Sequence, residues 1–486
     1  MYIGIDLGTS GVKTLLVTNK GEIIKEATRS YPIDIDENNF SEQNPKDWLN
    51  QTLEALKEVT AGYQSEIKGI SFSGQMHGLV LLDKNDNIIR PAILWNDQRT
   101  FLEVDFLNDK IGKEKLLKET GNIAVTGFTA PKILWVKKHE IDNFNKINKI
   151  MLPKDYLIYA LTGEFVTDYS DASGTLYFDV ENKKYNKFML DLIGIKLENL
   201  PKPLPSYQKC GYLKEEIKEL LNLENDVFIT PGGGDQAVGA VGTGVVSDGE
   251  INISLGTSGV IFAASDQYQV DHKSYMHSFA HATDTYHLMG VTLSAAGSFQ
   301  WWRDNFYPND KFVELHKSMT ETPMDDTLFY LPYLSGERSP INDPFAQAAF
   351  IGANYTHGKN HFTRAIIEGI TFSLKQCFDI IVNLGVIPKR VKVTGGGARN
   401  ASWNQLIADI FNISVETIKV KEGPAYGAAI LALVGGKEFN SVKEACDTLI
   451  KQEEVFHPIK ENVTIYERKY LKYLDLYPRL KTFFHK

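Results

Sequence analysis

Cysteine is scarce in this 486-residue chain. Cys210, Cys377 and Cys446 lie far apart and are odd in number, so neither a disulfide framework nor a thiolate metal site organises it. An excess of positive charge is missing too: the net charge is −9 at pH 7, which leaves no broad basic surface for nucleic acid. No apolar run reaches the roughly 18 residues a spanning helix needs, so no membrane partner is expected. Met1 leads straight into a strand pattern without a signal-peptide signature, and no low-complexity linker interrupts the chain. What is present, 43% hydrophobic and 23% charged residues, is ordinary for a globular protein. The expectation is a cytoplasmic protein of two or three domains.

The opening stretch, Met1 to Val17, is informative. Ile3, Ile5 and Leu7 alternate with other residues, the period of a half-buried strand. Gly8-Thr9-Ser10-Gly11 breaks it, and Val12 to Val17 resumes a β-rich run, so a hairpin is expected. Backbone N–H groups in such a turn suit phosphate. Asp6 at its mouth would repel phosphate unless a metal sat between them; alternatively, this is an ordinary hairpin with an exposed acid. Leu255-Gly256-Thr257-Ser258-Gly259-Val260 then repeats Leu7 to Val12 without a change, and Ile251 and Ile253 echo Ile3 and Ile5. This is the mark of internal duplication. Ser254 replaces Asp6 in the second copy, so only the first is equipped for a metal. The division falls between Gly242 and Glu250, giving domains 1–245 and 246–486.

Between the hairpins, Asn44-Pro45 reads as an N-cap with proline at the first helical position. Ile67 to Gly74 runs as a strand into Gln75-Met76-His77-Gly78. Gln75, His77, Asn96 and Asp97 carry the groups a polyhydroxylated ligand requires, because a site built to bond hydroxyls leaves polar groups unpaired when they are missing. His77 is equally readable as a structural loop histidine, and zinc is disfavoured by the lack of a second ligand at suitable spacing. Lys154 and Asp171 are further candidates, alternatively surface-solvated. Phe228 to Gly234 is a strand ending in three glycines, which let backbone approach a ligand closely. Asp235 starts a small-residue helix, where the N-terminus favours negative charge; it is a candidate base or a plain N-cap. Val391 to Asn400 is again strand, glycines, helix, and mirrors both Phe228 to Asp235 and Ile70 to Gly74. Here Ala398 replaces Asp235, so the turn suits an adenosine or its phosphates. Leu293 to Trp302 reads as a helix, with Trp301 either near the cleft or in the core.

Hairpin pairs followed by strand, glycine turn and helix resemble the duplicated ribonuclease-H-like α/β domains of actin, hexokinase and sugar kinases, which flank a cleft. Residues 127–136 and 348–368 resemble the two signature regions of the FGGY carbohydrate kinases, although Ala353 departs from the usual larger aliphatic residue. Ser73 to Gly78, Ala92 to Asp97, Leu152 to Leu157 and Gly233 to Ala237 resemble the branch acting on D-xylulose. The resemblance implies ATP-dependent phosphorylation of the 5-hydroxyl of D-xylulose, with a sugar, ATP and Mg²⁺ as ligands and a homodimer as the family-level assembly. It implies that Asp235 is the base and that Asp6 helps hold Mg–ATP. Gln75, Met76, His77, Asp97 and Gln236 would serve the sugar, Gln236 standing where many relatives have asparagine. Thr9, Lys13, Gly256, Thr257, Gly396, Gly397 and Asn400 would serve the nucleotide, with Trp301 flanking it. Gln75-Met76-His77 argues against gluconate, ribulose or glycerol as substrate, and the presence of both Asp6 and Asp235 argues against a non-catalytic sugar sensor.

Overall fold

The computed structural model describes residues 1–420 and 422–485, apart from the side chains of Ser318 and Thr320. Two sheets are built on one plan. In the first, β1 (Tyr2–Leu7), β2 (Gly11–Val17) and β3 (Ile23–Ser30) form an antiparallel meander, and β4 (Gly69–Gly74) runs parallel to β1 on its other side. Beyond β4 come β5 (Gly211–Tyr212) and β6 (Phe228–Ile229), in the order β5-β6-β4-β1-β2-β3, while β7 (Gly233–Gly234) adds to β4. The second sheet contains β8 (Glu250–Leu255), β9 (Gly259–Ser265), β10 (His277–Ala280), β11 (Tyr286–Thr292), β12 (Arg390–Thr394), β13 (Val415–Ile418) and β14 (Gln452–Phe456). Its order is β10-β11-β9-β8-β12-β13-β14. The expected alternation is present: Ile3, Ile5 and Leu7, and their echoes Ile251, Ile253 and Leu255, are all fully buried.

Topology fixes which parts correspond. β12 pairs in parallel with β8, Ser254 opposite Thr394, as β4 pairs with β1, Asp6 opposite Ser73. The loop after β12, with Gly395 to Gly397, is therefore the twin of the Gln75–His77 loop. It is not the twin of Gly232 to Gly234, despite the repeated glycines. The twin of α-helix Asp235–Gly242 is instead the helix Gly423–Gly435, which follows β13.

Helices cover both sheets: α1 (Pro45–Thr60), α2 (Thr129–His139), α3 (Pro153–Thr162), α4 (Tyr169–Ser173), α5 (Asp235–Gly242), α6 (Ala296–Phe306), α7 (Lys359–Asn383), α8 (Ala401–Phe411) and α9 (Gly423–Gly435). α1 starts as expected, with the Asn44 side chain accepting from the Lys46 N–H at 3.1 Å and Pro45 in the first turn. The halves join where α5 crosses α9. A Cβ on Gly242 would lie 1.9 Å from the Gly423 carbonyl oxygen, and one on Gly427 would lie 1.9 Å from that of Val238. Glycine here permits backbone-to-backbone contact between twin helices. α9, although from the second half, also presses on the first sheet: a Cβ on Gly4 would lie 2.0 Å from the Ala425 oxygen. Among the described residues no helix is long and apolar enough to cross a membrane.

Candidate active site

Asp235 begins α5, immediately after β7 aligns with the end of β4, Gly234 beside Gly74. It is half-buried and lines a cavity of about 640 Å³. Burial pushes its carboxyl up to about 7, and the negative charge of Asp6 adds to the rise; Gln236, through its backbone and side chain, pulls the other way. Asp6 sits near the end of β1, between Lys13 of β2 and Ser73 of β4. Burial raises its carboxyl as well, against Ser73 and Lys13. Its Oδ1 is buried with no hydrogen-bond partner among the described residues. Two carboxylates close enough to feel each other, one with an unsatisfied oxygen, suit a hard cation held partly by phosphate oxygens. No group of three or more His, Cys, Asp or Glu side chains among the described residues could hold a metal alone.

The loop after β4 builds one wall. Met76 packs on Gly234, where a Cβ would meet its Cγ at 2.8 Å, which places this loop beside Asp235. His77 has φ 68°, a left-handed conformation that a non-glycine residue adopts only when held there. Lys132 of α2 holds it, donating to the His77 carbonyl at 2.8 Å and to the Gly127 carbonyl at 2.7 Å, and Thr129 donates to the same His77 oxygen at 3.1 Å. Lys132 is fully buried, and burial brings its ammonium down to about 7. The imidazole of His77 lies 2.7 Å from the Gly174 carbonyl through Nδ1. Only a protonated Nδ1 can donate there, so Nε2 is left as an acceptor for a ligand hydroxyl. Burial pushes this imidazole down to about 3, so the ring is neutral at any working pH. Gln75 is buried and donates to Gln43 at 3.1 Å, while its own Oε1 has no partner.

The other wall belongs to the second half. Asn252, Ser254, Thr394, Gly396, Ala398, Thr417 and Pro424 line the cavity with Asp235 and Gln236. A Cβ on Gly396 would meet nothing within 4 Å, so this turn stands open to a ligand. The turn at Gly256 and Thr257 is backed by α6: Ala295 and Gly297 donate to the Thr257 carbonyl at 2.9 and 3.1 Å, and Ala296 donates to that of Gly256 at 2.9 Å. In the first turn, Thr9 Oγ1 accepts from the Trp95 indole at 2.9 Å.

Several residues expected at the ligands have other tasks here. Asp97 is fully buried, and its two oxygens accept from the Ser41 and Arg99 backbone N–H groups and twice from the Arg99 guanidinium, at 2.7–2.9 Å. Four donors fill a carboxylate, so Asp97 fixes its loop and has nothing left for sugar. Asn400 caps α8, accepting from the Trp403 N–H at 2.9 Å. Gly397 is needed for packing, since a Cβ would lie 2.7 Å from that of Leu255. Trp301 packs edge-on against Phe306 and does not line the cavity. Lys13 pairs with Glu422 at 2.5 Å and Glu26 at 3.2 Å, tying β2 to the start of α9. Lys154 is not solvated at all: it is fully buried between Asp155 at 2.6 Å and Asp168 at 2.9 Å, with Asp171 at 3.6 Å. Phe128 and Lys132 share one segment, residues 127–136, which the family resemblance marks without giving either residue a role; His277 and Arg338 come from two others and carry no repeated spacing that could have flagged them.

A duplicated ribonuclease-H-like fold, with a carboxylate between the Gln75–His77 loop and an open glycine turn, defines an ATP-dependent sugar kinase. Residues 1–242 match the N-terminal domain, and residues 251–436 the C-terminal domain, of the FGGY family of carbohydrate kinases. The chain belongs to that family. It is 41% identical to the xylulose kinase of Bacillus subtilis (strain 168) over 99% of this chain and 96% of that one. Among solved structures, a xyloylose kinase from Brucella ovis superposes with a TM-score of 0.94 at 34% identity, covering 99% of both chains. A gluconate kinase from Lactobacillus acidophilus superposes with a TM-score of 0.95 at 26% identity, covering 99% of this chain and 98% of that one. Shape alone therefore does not choose the sugar.

Proposed function

We infer that this enzyme transfers the γ-phosphoryl group of ATP to the 5-hydroxyl of D-xylulose. One observation carries the mechanism: Asp235 lies where the Met76–His77 loop meets the cavity formed by the second half, and its carboxyl is raised to about 7. Phosphoryl transfer relies on positioning and charge neutralisation more than on a strong base. Asp235 orients the sugar hydroxyl in line with the γ-phosphorus and accepts its proton. The new bond joins the sugar oxygen to phosphorus, the bond to the bridging oxygen breaks, and ADP leaves. A neutral His77 accepts from a sugar hydroxyl and keeps positive charge away from the pair of acids. Asp6, through its unpartnered oxygen, would hold Mg²⁺; bound there, the ion shields the phosphates from both carboxylates. We assign the sugar to the half ending at residue 245 and the nucleotide to the half from residue 246. Closure of these halves excludes water. The three free thiols suit the reducing cytosol, where ATP is available.

An ADP-release assay over D-xylulose, gluconate, D-ribulose and glycerol tests the substrate. Fastest turnover is expected on D-xylulose; faster turnover on any of the others overturns the choice. Asp235→Ala should lower kcat by about a thousandfold, while calorimetry still detects sugar binding. Normal turnover by this variant would remove Asp235 from the role of base.

A further inference from the structure

Arg338 is half-buried, and its guanidinium has no hydrogen-bond acceptor among the described residues; only its backbone is bonded, the N–H donating to Glu337 Oε1 at 2.9 Å and the carbonyl accepting from the Ile341 N–H at 3.0 Å and from the Asn342 N–H. The neighbouring Glu337 supplies an opposite charge, but both hydrogen bonds to its carboxylate come from backbone N–H groups; a partly buried guanidinium whose donors have no acceptor is costly and is available to a ligand. The residue is held in place by its neighbours. The same Glu337 oxygen accepts from the Leu293 N–H at 2.6 Å, the Ser339 N–H donates to the Val291 carbonyl at 3.0 Å, and the Ser339 hydroxyl donates to the Tyr275 carbonyl. Its loop is thus fastened to β11 and to the segment that leads into the edge strand β10.

Those strands pack against the sugar loop of the first half. The His77 ring lies 4.8 Å from Phe128 and 6.3 Å from Phe279, and His277 lies 5.6 Å from Phe128 and stacks on Phe279 at 5.5 Å. The Arg338 charge is felt at both imidazoles. His277 Nδ1 faces the Asn122 side-chain oxygen at 3.3 Å. That amide is oriented by its nitrogen, which donates to the Ser278 carbonyl at 2.8 Å. Nδ1 must therefore carry the proton, and Nε2 of His277, like that of His77, is an acceptor. The groups run in sequence from Asp235, through Gly234 and Met76, to His77, and then across Phe128 to His277 and Arg338.

We propose that Arg338 and His277, both from the second half, complete the sugar site at the end remote from the transferred phosphoryl group: Arg338 donates to the substrate's carbonyl oxygen and His277 Nε2 accepts from the neighbouring hydroxymethyl group. A ketose supplies the matching chemistry, an acceptor that cannot donate beside a hydroxyl that can. Because the two residues belong to the nucleotide-binding half, they also let the sugar draw the halves together. The atom assignment rests on D-xylulose as the substrate.

The test uses the full-length enzyme and its two substrates. Arg338→Gln should raise the KM for D-xylulose about tenfold or more, as expected for a lost hydrogen bond to a charged group, while the KM for ATP changes less than twofold; Arg338→Lys, which keeps a charge without the planar fork, should fall between. His277→Phe preserves the ring packing and should narrow the preference for D-xylulose over 1-deoxy-D-xylulose. An unchanged sugar KM in a folded Arg338→Gln, or a rise confined to ATP, overturns the proposal. If neither Arg338 variant folds, an unchanged preference in His277→Phe overturns it alone. Should the wild type favour another sugar, the substrate reading fails separately, and the same KM comparison is made on the preferred sugar.

Discussion

The two hairpins share Leu-Gly-Thr-Ser-Gly-Val, yet they do not pair alike. In the first, Leu7 faces Val12 and Asp6 faces Lys13. In the second, Leu255 faces Gly259 and Ser254 faces Val260, one residue out of step with its twin. The surroundings differ in kind. Side chains satisfy the first turn: Tyr31 donates to the Gly8 carbonyl, and Gln43 donates to that of Thr9 at 2.8 Å. The second turn is capped by the start of α6. Six identical residues thus specify a tight turn, while tertiary partners choose its register. Chemistry divides along the same line: the first copy ends β1 with an acid and is followed by Met76 and His77, whereas the second has Ser254 and an open Gly396.

Making the twins alike should break this division. Asp6→Ser gives the first hairpin the residue of the second. We expect kcat to fall about a hundredfold or more, in line with the loss of a fixed electrostatic group at the reacting centre, with the melting curve retained. Turnover within twofold of wild type would show that Asp6 is only a strand residue. The next largest effect is on stability, where the twins touch. Gly242→Ala places a Cβ 1.9 Å from the Gly423 oxygen, and overpacking of this kind costs about 1–3 kcal/mol. Gly396→Ala, with open space around it, should change stability by less than about 0.5 kcal/mol. Equal losses in urea denaturation would deny that the α5–α9 crossing is the point of contact.

The duplication was legible because residues 251–260 repeat the first hairpin outright, and the fold followed from it. The α1 cap and the helix at Asp235 were also readable, from the Asn44-Pro45 pair and from the small residues that follow the glycines. The repeated glycines misled: Gly232 to Gly234 and Gly395 to Gly397 look like equivalents, but sheet order places the latter opposite the Gln75 loop. Composition cannot supply strand order. Asp97 looked like a sugar ligand because nothing in the sequence shows that Arg99, two residues on, occupies it. Lys154 reads equally as a ligand candidate or a solvated residue, because its three carboxylate partners are brought together only by packing. Arg338 and His277 were invisible for the same reason, since their relation to His77 exists only across the interface of the halves.

A smaller change tests the reverse substitution. Ser254→Asp gives the second copy the acid of the first, on a wall of the cavity that the nucleotide would occupy. Like charges several ångströms apart in a half-buried cleft repel by roughly 1–2 kcal/mol, so the KM for ATP should rise about tenfold while the KM for D-xylulose holds. A change confined to the sugar would reverse the assignment of the halves.

The smallest effect concerns the starts of the twin helices: α5 begins with Asp235, whereas α9 begins with Gly423, which has no side chain to titrate. In the unfolded chain the Asp235 carboxyl ionises at the usual 3.8, but in the fold burial and the Asp6 charge delay ionisation to about 7. Between these values the folded state binds more proton than the unfolded state, so this residue's contribution to stability falls as pH rises. The rest of the protein titrates as well, and a difference isolates the one group. The stability of wild type minus that of Asp235→Asn, from urea denaturation at each pH, should decline from 3.8 to about 7 and then level off. The same ionisation should appear as an acid limb in kcat/KM near pH 7, and His77, neutral throughout, contributes nothing to it. In Asp6→Asn the decline should end at a lower pH, because one of the two causes of the delay is gone. A difference curve that stays flat would mean that Asp235 ionises as freely as a surface carboxylate, and that the asymmetry between the two halves does not extend to the protonation of their twin helices.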